Sequence, residues 1–264
     1  MNRTRGAEDA AAAPGASTQP PGSGETLFIS DLHLSPERPE TIRLFLGFLA
    51  GRARRAEHLY ILGDLFDAWI GDDDDTPPYP QIRAALRDLV TAGTACTLLP
   101  GNRDFLLGRR FCRDTGCTLA RDPTLIRVAG VPTLLMHGDL LCTADLDYLR
   151  FRRRVRNPLV KRLFLWKSLR SRRALAEGYR RQSGAAKTDK TAAVMDADRA
   201  AVADYLGRWR ATHLIHGHTH RPADHELTSL GQPARRTVLA EWHPERGEVL
   251  VHRDGAWHRE AVLA

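Results

Sequence analysis

Side chains of the kind that bind metals follow five short apolar runs in this chain of 264 residues. They occur in DLH at 31–33, GD at 63–64, GNRD at 101–104, HGD at 137–139 and HGHTH at 216–220. Each preceding run has the length and composition of a buried strand. Open α/β sheets bind their ligands just beyond the ends of such strands. We therefore expect these side chains to meet at one edge of a sheet.

The donor set has oxygen and nitrogen atoms and no thiolate. It consists of Asp31, His33, Asp64, Asn102, His137 and two of the three alternate histidines His216, His218 and His220. Side chains two apart on an extended segment project to the same side, so each alternating pair can face one ion. Such a set suits Mn(II), Fe(II) or Zn(II) better than a structural zinc site. Seven ligands suit two ions ~3.5–4 Å apart that share one carboxylate, which we expect to be Asp64, and paired ions of this kind hydrolyse phosphate esters.

Taken singly, most of these motifs are weak. D-x-H is common, and GD and GN are ordinary turn pairs. HGHTH is stronger because packing does not explain three alternate histidines. All five motifs together, each after an apolar run, favour a metal centre. We interpret His213, His225, His243 and Asp67 as structural, and the acidic run at 72–75 as a solvated loop.

The composition is that of a globular protein with an anionic partner. The net charge is +7 and the pI is about 9.6, which suggests nucleic acid, an anionic membrane surface or a phosphorylated substrate. The four cysteines lack paired spacing and predict reduced thiols. No apolar run approaches the ~18 residues of a membrane span. Residues 1–24 have the composition of a disordered tail.

The order of apolar runs predicts an α/β fold. Strands are expected near 27–30, 59–62, 94–99, 125–128, 133–136 and 214–215, with shorter ones near 226, 238 and 250. Helices are expected over 39–56, 81–92, around 107–114, and through most of 143–206.

Residues 150–190 are unusually basic. They hold fifteen Lys and Arg against two acidic residues, so this segment carries +13 and the rest of the chain about −6. Leucines, Phe164 and Trp166 are interleaved with the charges, which predicts a basic amphipathic helical hairpin. The alternative is a solvated helix packed on the domain.

The motifs carry a family resemblance. D-L-H, G-D, G-N-R-D, H-G-D and G-H-T-H resemble those of the calcineurin-like metallophosphoesterases. More narrowly, SDLHL, YILGDLFDAWIGDD, GNRDFLLG, MHGDLLCT and LIHGHTHRP are similar to the UDP-2,3-diacylglucosamine pyrophosphatase family of lipid A biosynthesis. The similarity covers about 27–243. Arg103 stands where many members of the wider superfamily carry a histidine.

The resemblance implies a four-layer α/β/β/α sandwich with an inserted helical cap. Residues 25–140 and 205–264 would form the core, and 141–204 the cap, after the tail at 1–24. It also selects His218 and His220 as ligands and implies two Mn(II) ions. The first would be held by Asp31, His33, Asp64 and His220, and the second by Asp64, Asn102, His137 and His218. His216, Asp104 and Asp139 would lie behind these ligands, with the two carboxylates bonded to them.

The implied reaction is hydrolysis of UDP-2,3-diacylglucosamine to UMP and 2,3-diacylglucosamine 1-phosphate (lipid X). A hydroxide activated by the two metals would attack the uridine-side phosphorus, with Asp64, Asn102, Arg103 and His218 as the catalytic residues. The resemblance implies substrate contacts at Asn102, Arg103, Asp145, Ser183, Lys187, Lys190 and His218, although relatives carry asparagine at the position of Lys187. A monomer at the cytoplasmic face of the inner membrane is implied, with the cap on anionic lipid. The alternative is a metallophosphoesterase or nuclease acting on nucleic acid or nucleotides.

Overall fold

A computed structural model describes residues 24–188 and 196–263, and the side chains of 180–188 are not described. The strands are β1 (Thr26–Ile29), β2 (His58–Leu62), β3 (Ala95–Leu99), β4 (Thr118–Leu119), β5 (Thr124–Val128), β6 (Val131–Met136), β7 (His213–His216), β8 (Ala223–Ser229), β9 (Gln232–Val238), β10 (Arg246–Arg253) and β11 (Ala256–Leu263). The helices are α1 (Pro39–Ala50), α2 (Tyr79–Thr91), α3 (Arg109–Thr115), α4 (Leu146–Val155), α5 (Pro158–Leu165), α6 (Leu169–Thr188) and α7 (Arg199–Trp209). The predicted tail lies, up to residue 23, outside the described residues.

The strands form two sheets. One has the order β11–β10–β1–β2–β3–β4 and the other β5–β6–β7–β9–β8. Neighbours are parallel from β1 to β4 and from β6 through β7 to β9, while the outer strands β5, β8, β10 and β11 pair antiparallel. The central parallel strands therefore end at a shared edge of each sheet.

Alternation along the strands builds the layers. On β2, Leu59 and Ile61 pack toward the helices of the first sheet, whereas Tyr60 and Leu62 pack between the sheets. β2 is buried on both faces, and parallel strands covered on both sides carry such continuous apolar runs. Helices α1–α3 cover the first sheet, and α7 covers the second through Leu206. The predicted four-layer α/β/β/α sandwich is confirmed.

The basic segment differs from the predicted hairpin, because three helices, α4, α5 and α6, lie between β6 and α7. None of the residues of α4 and α5 is buried. The expected end of the cap at residue 204 falls within α7, and this helix packs on the second sheet. Two further strands, β4 and β11, had no expectation from the sequence. β11 alternates exposed and half-buried residues at the sheet edge, and β4 has two residues.

Arginines of the cap helices bind the core. Arg152 donates to Asp139 at 2.6 Å and to Asp122 at 3.0 Å. On α6, the buried Arg172 donates to the carbonyl of Ile70 and to Asp73, both at 2.8 Å. The two anchors lie on different helices, so the insertion is attached to the core at two separate points. Part of its positive charge is thus neutralised by the core.

Candidate metal centre

The five expected strand ends do converge. The candidate ligands follow β1, β2, β3, β6 and β7 by one to four residues, on the carboxyl side of parallel strands. Ligating atoms of Asp31, His33 and His220 all lie within 4.8 Å of one another, and so do those of Asp31, Asp64 and His137. Two overlapping three-residue groups therefore share Asp31.

The remaining two candidates adjoin the second group. Asn102 Oδ1 lies 2.8 Å from Nε2 of His137. The ring of His218 lies 5.0 Å from that of His137, measured between centroids. The backbone amide of His218 also donates to Asp31 Oδ2 at 2.9 Å. All seven predicted ligands are thus brought into one cluster.

The backbone conformation of the clustered residues differs from the extended one that we expected. The alternating pairs were expected on extended segments, but five of the seven residues have left-handed backbone conformations. Their φ values are 55° at Asp31, 49° at His33, 53° at Asp64, 69° at His218 and 54° at His220. This conformation is uncommon for residues with a side chain and concentrates at functional sites. Tight turns, rather than strand alternation, aim these side chains at one point.

The cluster has a strong negative field. Burial lowers the pKa of a histidine, yet Asp64 and Asp31 raise that of His137 to about 9. Asp31 and Glu241 likewise raise the pKa of His220 to about 9 against the effect of burial. Burial and the nearby Asp31 raise the pKa of Asp64 to about 6 even though His137 opposes the shift. Carboxylates and imidazoles held this closely attract a divalent cation in place of protons.

Comparison with known proteins identifies the family. Residues 25–222 match the family model described as calcineurin-like phosphoesterase. The UDP-2,3-diacylglucosamine hydrolases of Ectopseudomonas mendocina and Klebsiella pneumoniae are both 49% identical over 229 residues, which span 87% of this chain and 95% of each relative. The chain is a calcineurin-like phosphoesterase of the UDP-2,3-diacylglucosamine hydrolase family. A solved archaeal phosphodiesterase aligns over 91% of this chain and 99% of its own, at 9% identity and a TM-score of 0.47.

The clustered side chains of this phosphoesterase include buried polar atoms that a metal ion would satisfy. Asp31 Oδ1 and His33 Nδ1 are buried and have no hydrogen-bond partner among the described residues. Leaving a buried polar atom without a partner costs about 1–3 kcal/mol, so such atoms need another ligand. His137 donates from Nδ1 to the carbonyl of Leu62 at 3.0 Å, which leaves Nε2 as the ligating atom. The residues therefore fit a metal centre of oxygen and nitrogen ligands.

Small residues and a buried carboxylate support the turns of the phosphoesterase. A Cβ at Gly101 would lie 2.2 Å from Asp64 Oδ1, so only glycine lets the two turns approach. Asp104 accepts from the amides of Gly101 at 2.7 Å and Leu65 at 2.8 Å. It was expected to bond the ligands themselves. Instead it holds the backbones of the two turns that carry them.

The other supporting carboxylate, Asp139, serves the cap. Its Oδ2 accepts from Tyr148 and Arg152, both on α4, while Oδ1 is buried without a partner among the described residues. Tyr148 in turn lies against His218, with ring centroids 6.3 Å apart. The prediction that Asp139 bonds a neighbouring ligand is therefore wrong among the described contacts. It joins the ligand turn of His137 to the first cap helix.

Two carboxylates of the centre had no sequence signal. Glu241 Oε2 lies 2.7 Å from Nδ1 of His220. Asp122 accepts from the backbone amide of His137 at 3.0 Å and from Arg152. Neither residue belongs to a motif. Asp122 follows no predicted strand, and Glu241 follows the one near 238 without a ligand pattern, so only the fold reveals their contacts.

The structure describes the side chains of some predicted substrate contacts and not of others. Arg103 is half-buried beside the cluster, and its charge affects the pKa values of both Asp64 and His33. Asp145 begins α4 and accepts from the amide of Tyr148 at 3.1 Å. Ser183 and Lys187 fall in the part of α6, residues 180–188, whose side chains are not described. Lys190 lies outside the described residues.

The acidic run at 72–75 is a loop, as predicted, but only Asp73 and Asp75 are exposed to solvent. Asp74 is buried, and Asp72 accepts from the amides of Gly108 and Phe111 at 3.0 Å at the start of α3. Asp73 accepts a hydrogen bond from Arg172 of α6. The run therefore joins the core to the cap. His216, by contrast, is buried and bonds Arg236 at 3.0 Å, which agrees with a packing role.

Proposed function

We propose that this phosphoesterase hydrolyses the pyrophosphate bond of UDP-2,3-diacylglucosamine to UMP and 2,3-diacylglucosamine 1-phosphate (lipid X) in lipid A biosynthesis. The observation that carries the proposal is the 49% identity to relatives named for that substrate, over 95% of their length. The match runs through far more of the chain than the ligand motifs. The clustering of all seven candidate ligands supports the same conclusion.

The proposed cofactor is a pair of Mn(II) ions. Asp31, His33, Asp64 and His220 would hold the first, and Asp64, Asn102, His137 and His218 the second. Bound together, the two ions supply positive charge that polarises the phosphoryl group and makes water a stronger nucleophile near neutral pH. The half-buried to buried setting of the ligands keeps that charge concentrated.

The chain itself orients and stabilises the reacting group. We propose that Arg103 presents its planar guanidinium to two phosphoryl oxygens of the uridine-side phosphate. Asn102 and His218 would stabilise charge on the same oxygens as water attacks in line and the acylated sugar phosphate leaves. No serine or cysteine nucleophile is required. The backbone amide of Arg103 donates to Asp64 Oδ1 at 2.8 Å, which supports a position for Arg103 beside the proposed metal ligands.

The cap is proposed to hold the acylated sugar. Asp145, Ser183, Lys187 and Lys190 would contact the substrate from this side, and apolar cap residues would receive the acyl chains. The hydrogen bond from Tyr148 to Asp139 holds α4 beside the candidate metal ligands. This position supports a substrate site between cap and core.

The cap is also proposed to meet the cytoplasmic face of the inner membrane as part of a peripheral, monomeric protein. Leu159 of α5 is 71% exposed, and Trp166 at the end of that helix is 72% exposed. Arg153 and Arg154 on α4 and Arg162 on α5 are exposed as well. Exposed apolar and basic residues together favour an anionic bilayer surface. Among the described residues, no helix combines the length and the hydropathy needed to cross a membrane.

A substrate comparison tests the proposed reaction. Purified full chain with Mn(II) is given UDP-2,3-diacylglucosamine or single-stranded DNA in separate reactions. We expect UMP and the acylated sugar phosphate from the first and no release of nucleotides from the second. Cleavage of DNA without cleavage of the lipid nucleotide would overturn the proposal in favour of a nuclease.

A further inference from the structure

The two metal positions are backed by different groups. His137 and His220 each have an acceptor at Nδ1, the ring nitrogen that is not proposed to bind metal, and the two acceptors differ. His137 donates to the neutral carbonyl of Leu62 at 3.0 Å. His220 instead faces the carboxylate of Glu241, with 2.7 Å between Nδ1 and Oε2. A carboxylate makes the imidazole a stronger donor to metal than a carbonyl does.

Glu241 is held in place from two sides. Arg38, at the start of α1, lies 3.7 Å from Glu241 Oε1 and donates to the carbonyl of Trp242 at 2.8 Å. The amide of Trp242 donates to the carbonyl of Asp31 at 3.1 Å. The segment that carries the carboxylate is therefore fastened to the turn that carries Asp31. Such support keeps the His220 ring in one orientation.

One supporting carboxylate distinguishes the two positions. Asp31 and Asp64 lie close to the ligands of both. The further carboxylates near His137, Asp122 and Asp139, bond Arg152 and make no described hydrogen bond to a ligand ring. Among the described residues, Glu241 is the supporting carboxylate that contacts a ligand imidazole directly, and this contact strengthens the binding of a cation by that imidazole.

We propose that Glu241 is a positioning residue that makes the His220 subsite the tighter of the two, so that the metals bind in sequence and this position fills first. The proposal rests on the two-ion centre of the proposed function. Glu241 acts through His220, fixing Nδ1 as the protonated nitrogen and leaving Nε2 for the ion.

Calorimetric titration of the metal-stripped full chain with Mn(II) tests this inference. Wild type is expected to show two binding events of different affinity. Glu241→Ala should weaken the tighter event at least ~10-fold and leave the weaker one unchanged. Glu241→Gln, which keeps the hydrogen bond and loses the charge, should fall between the two. Glu245→Gln, the same change at an exposed site four residues on, is the matched control.

Several outcomes would overturn it. Equal affinities in wild type, an unchanged tighter event in Glu241→Ala, or equal weakening of both events would each contradict the assignment. Thermal unfolding in chelator shows whether a variant is folded before titration. If Glu241→Ala is not folded, the titration of Glu241→Gln tests the inference instead. If wild type binds two ions in sequence and releases no UMP, the proposed substrate fails while this inference stands.

Discussion

The backbone amide of Arg103 donates to Oδ1 of Asp64 at 2.8 Å, so the turns after β2 and β3 meet at the proposed bridging ligand. Asp104 fastens the same two turns by accepting from Gly101 and Leu65. The geometry of the centre therefore depends on a buried carboxylate that is not in the proposed ligand set.

Replacing Asp104 tests this support. Asp104→Asn places an amide donor against a backbone donor, and we expect the free energy of unfolding to fall by about 1–3 kcal/mol. Mn(II) affinity should fall as well, because the ligand turns separate. Urea unfolding and metal titration measure the two effects. Asp88→Asn, at an exposed position of α2, should change neither, and equal behaviour of both variants would contradict the role.

The anchor of the cap at Arg172 gives a second prediction. Its guanidinium makes bonds to Ile70, Asp73 and Lys167 that a lysine cannot reproduce together. Arg172→Lys should lower the free energy of unfolding by about 1–2 kcal/mol and speed proteolysis within the cap. The exposed Arg170→Lys is the control. Identical proteolysis of the two variants would show that the contact does not hold the cap.

Buried histidines away from the centre predict sensitivity to acid. Burial lowers the pKa of both His58 and His213 to about 4. Below about pH 6.5 the unfolded chain takes up protons that the folded chain refuses until about pH 4, so stability falls across this window. The loss is up to about 3 kcal/mol for each histidine.

The measurement is the unfolding free energy in chelator at pH 7, 6 and 5. His213→Gln, which can keep a bond to Thr237, should reduce the pH dependence, whereas the exposed His225→Gln should not. A pH dependence that is the same in all three proteins would contradict the assignment.

Membrane contact by the cap predicts a loss on removal of its exposed apolar residues. The double variant Leu159→Ser, Trp166→Ser should bind vesicles containing phosphatidylglycerol about 10-fold more weakly, because each side chain gives up apolar burial. Leu230→Ser, at a residue 75% exposed between β8 and β9, is the matched control. Sedimentation with vesicles measures the binding. Weakening by the control alone would place the contact elsewhere.

The sequence predicted most of the strands, and the convergence of the side chains that follow them, for a physical reason. Apolar runs such as the one before Asp64 are buried on both faces, and their ends are marked by glycine and a polar residue. Supporting groups such as Glu241 and Asp122 come from loops with no periodic signal. The burial of part of the acidic run at 72–75 was missed because two of its partners, Arg172 and Arg173, are 99 residues away, and only folding brings them together.

The central claim is that Asp64 and the six other proposed ligands hold the metal ions that are needed for release of UMP. The most direct measurement is the rate of UMP formation from UDP-2,3-diacylglucosamine with Mn(II), with chelator, and for Asp64→Asn with Mn(II). We expect turnover only in the first case, with a decrease of at least ~10³-fold in the other two. Full activity of Asp64→Asn, or activity that persists in chelator, would contradict the account.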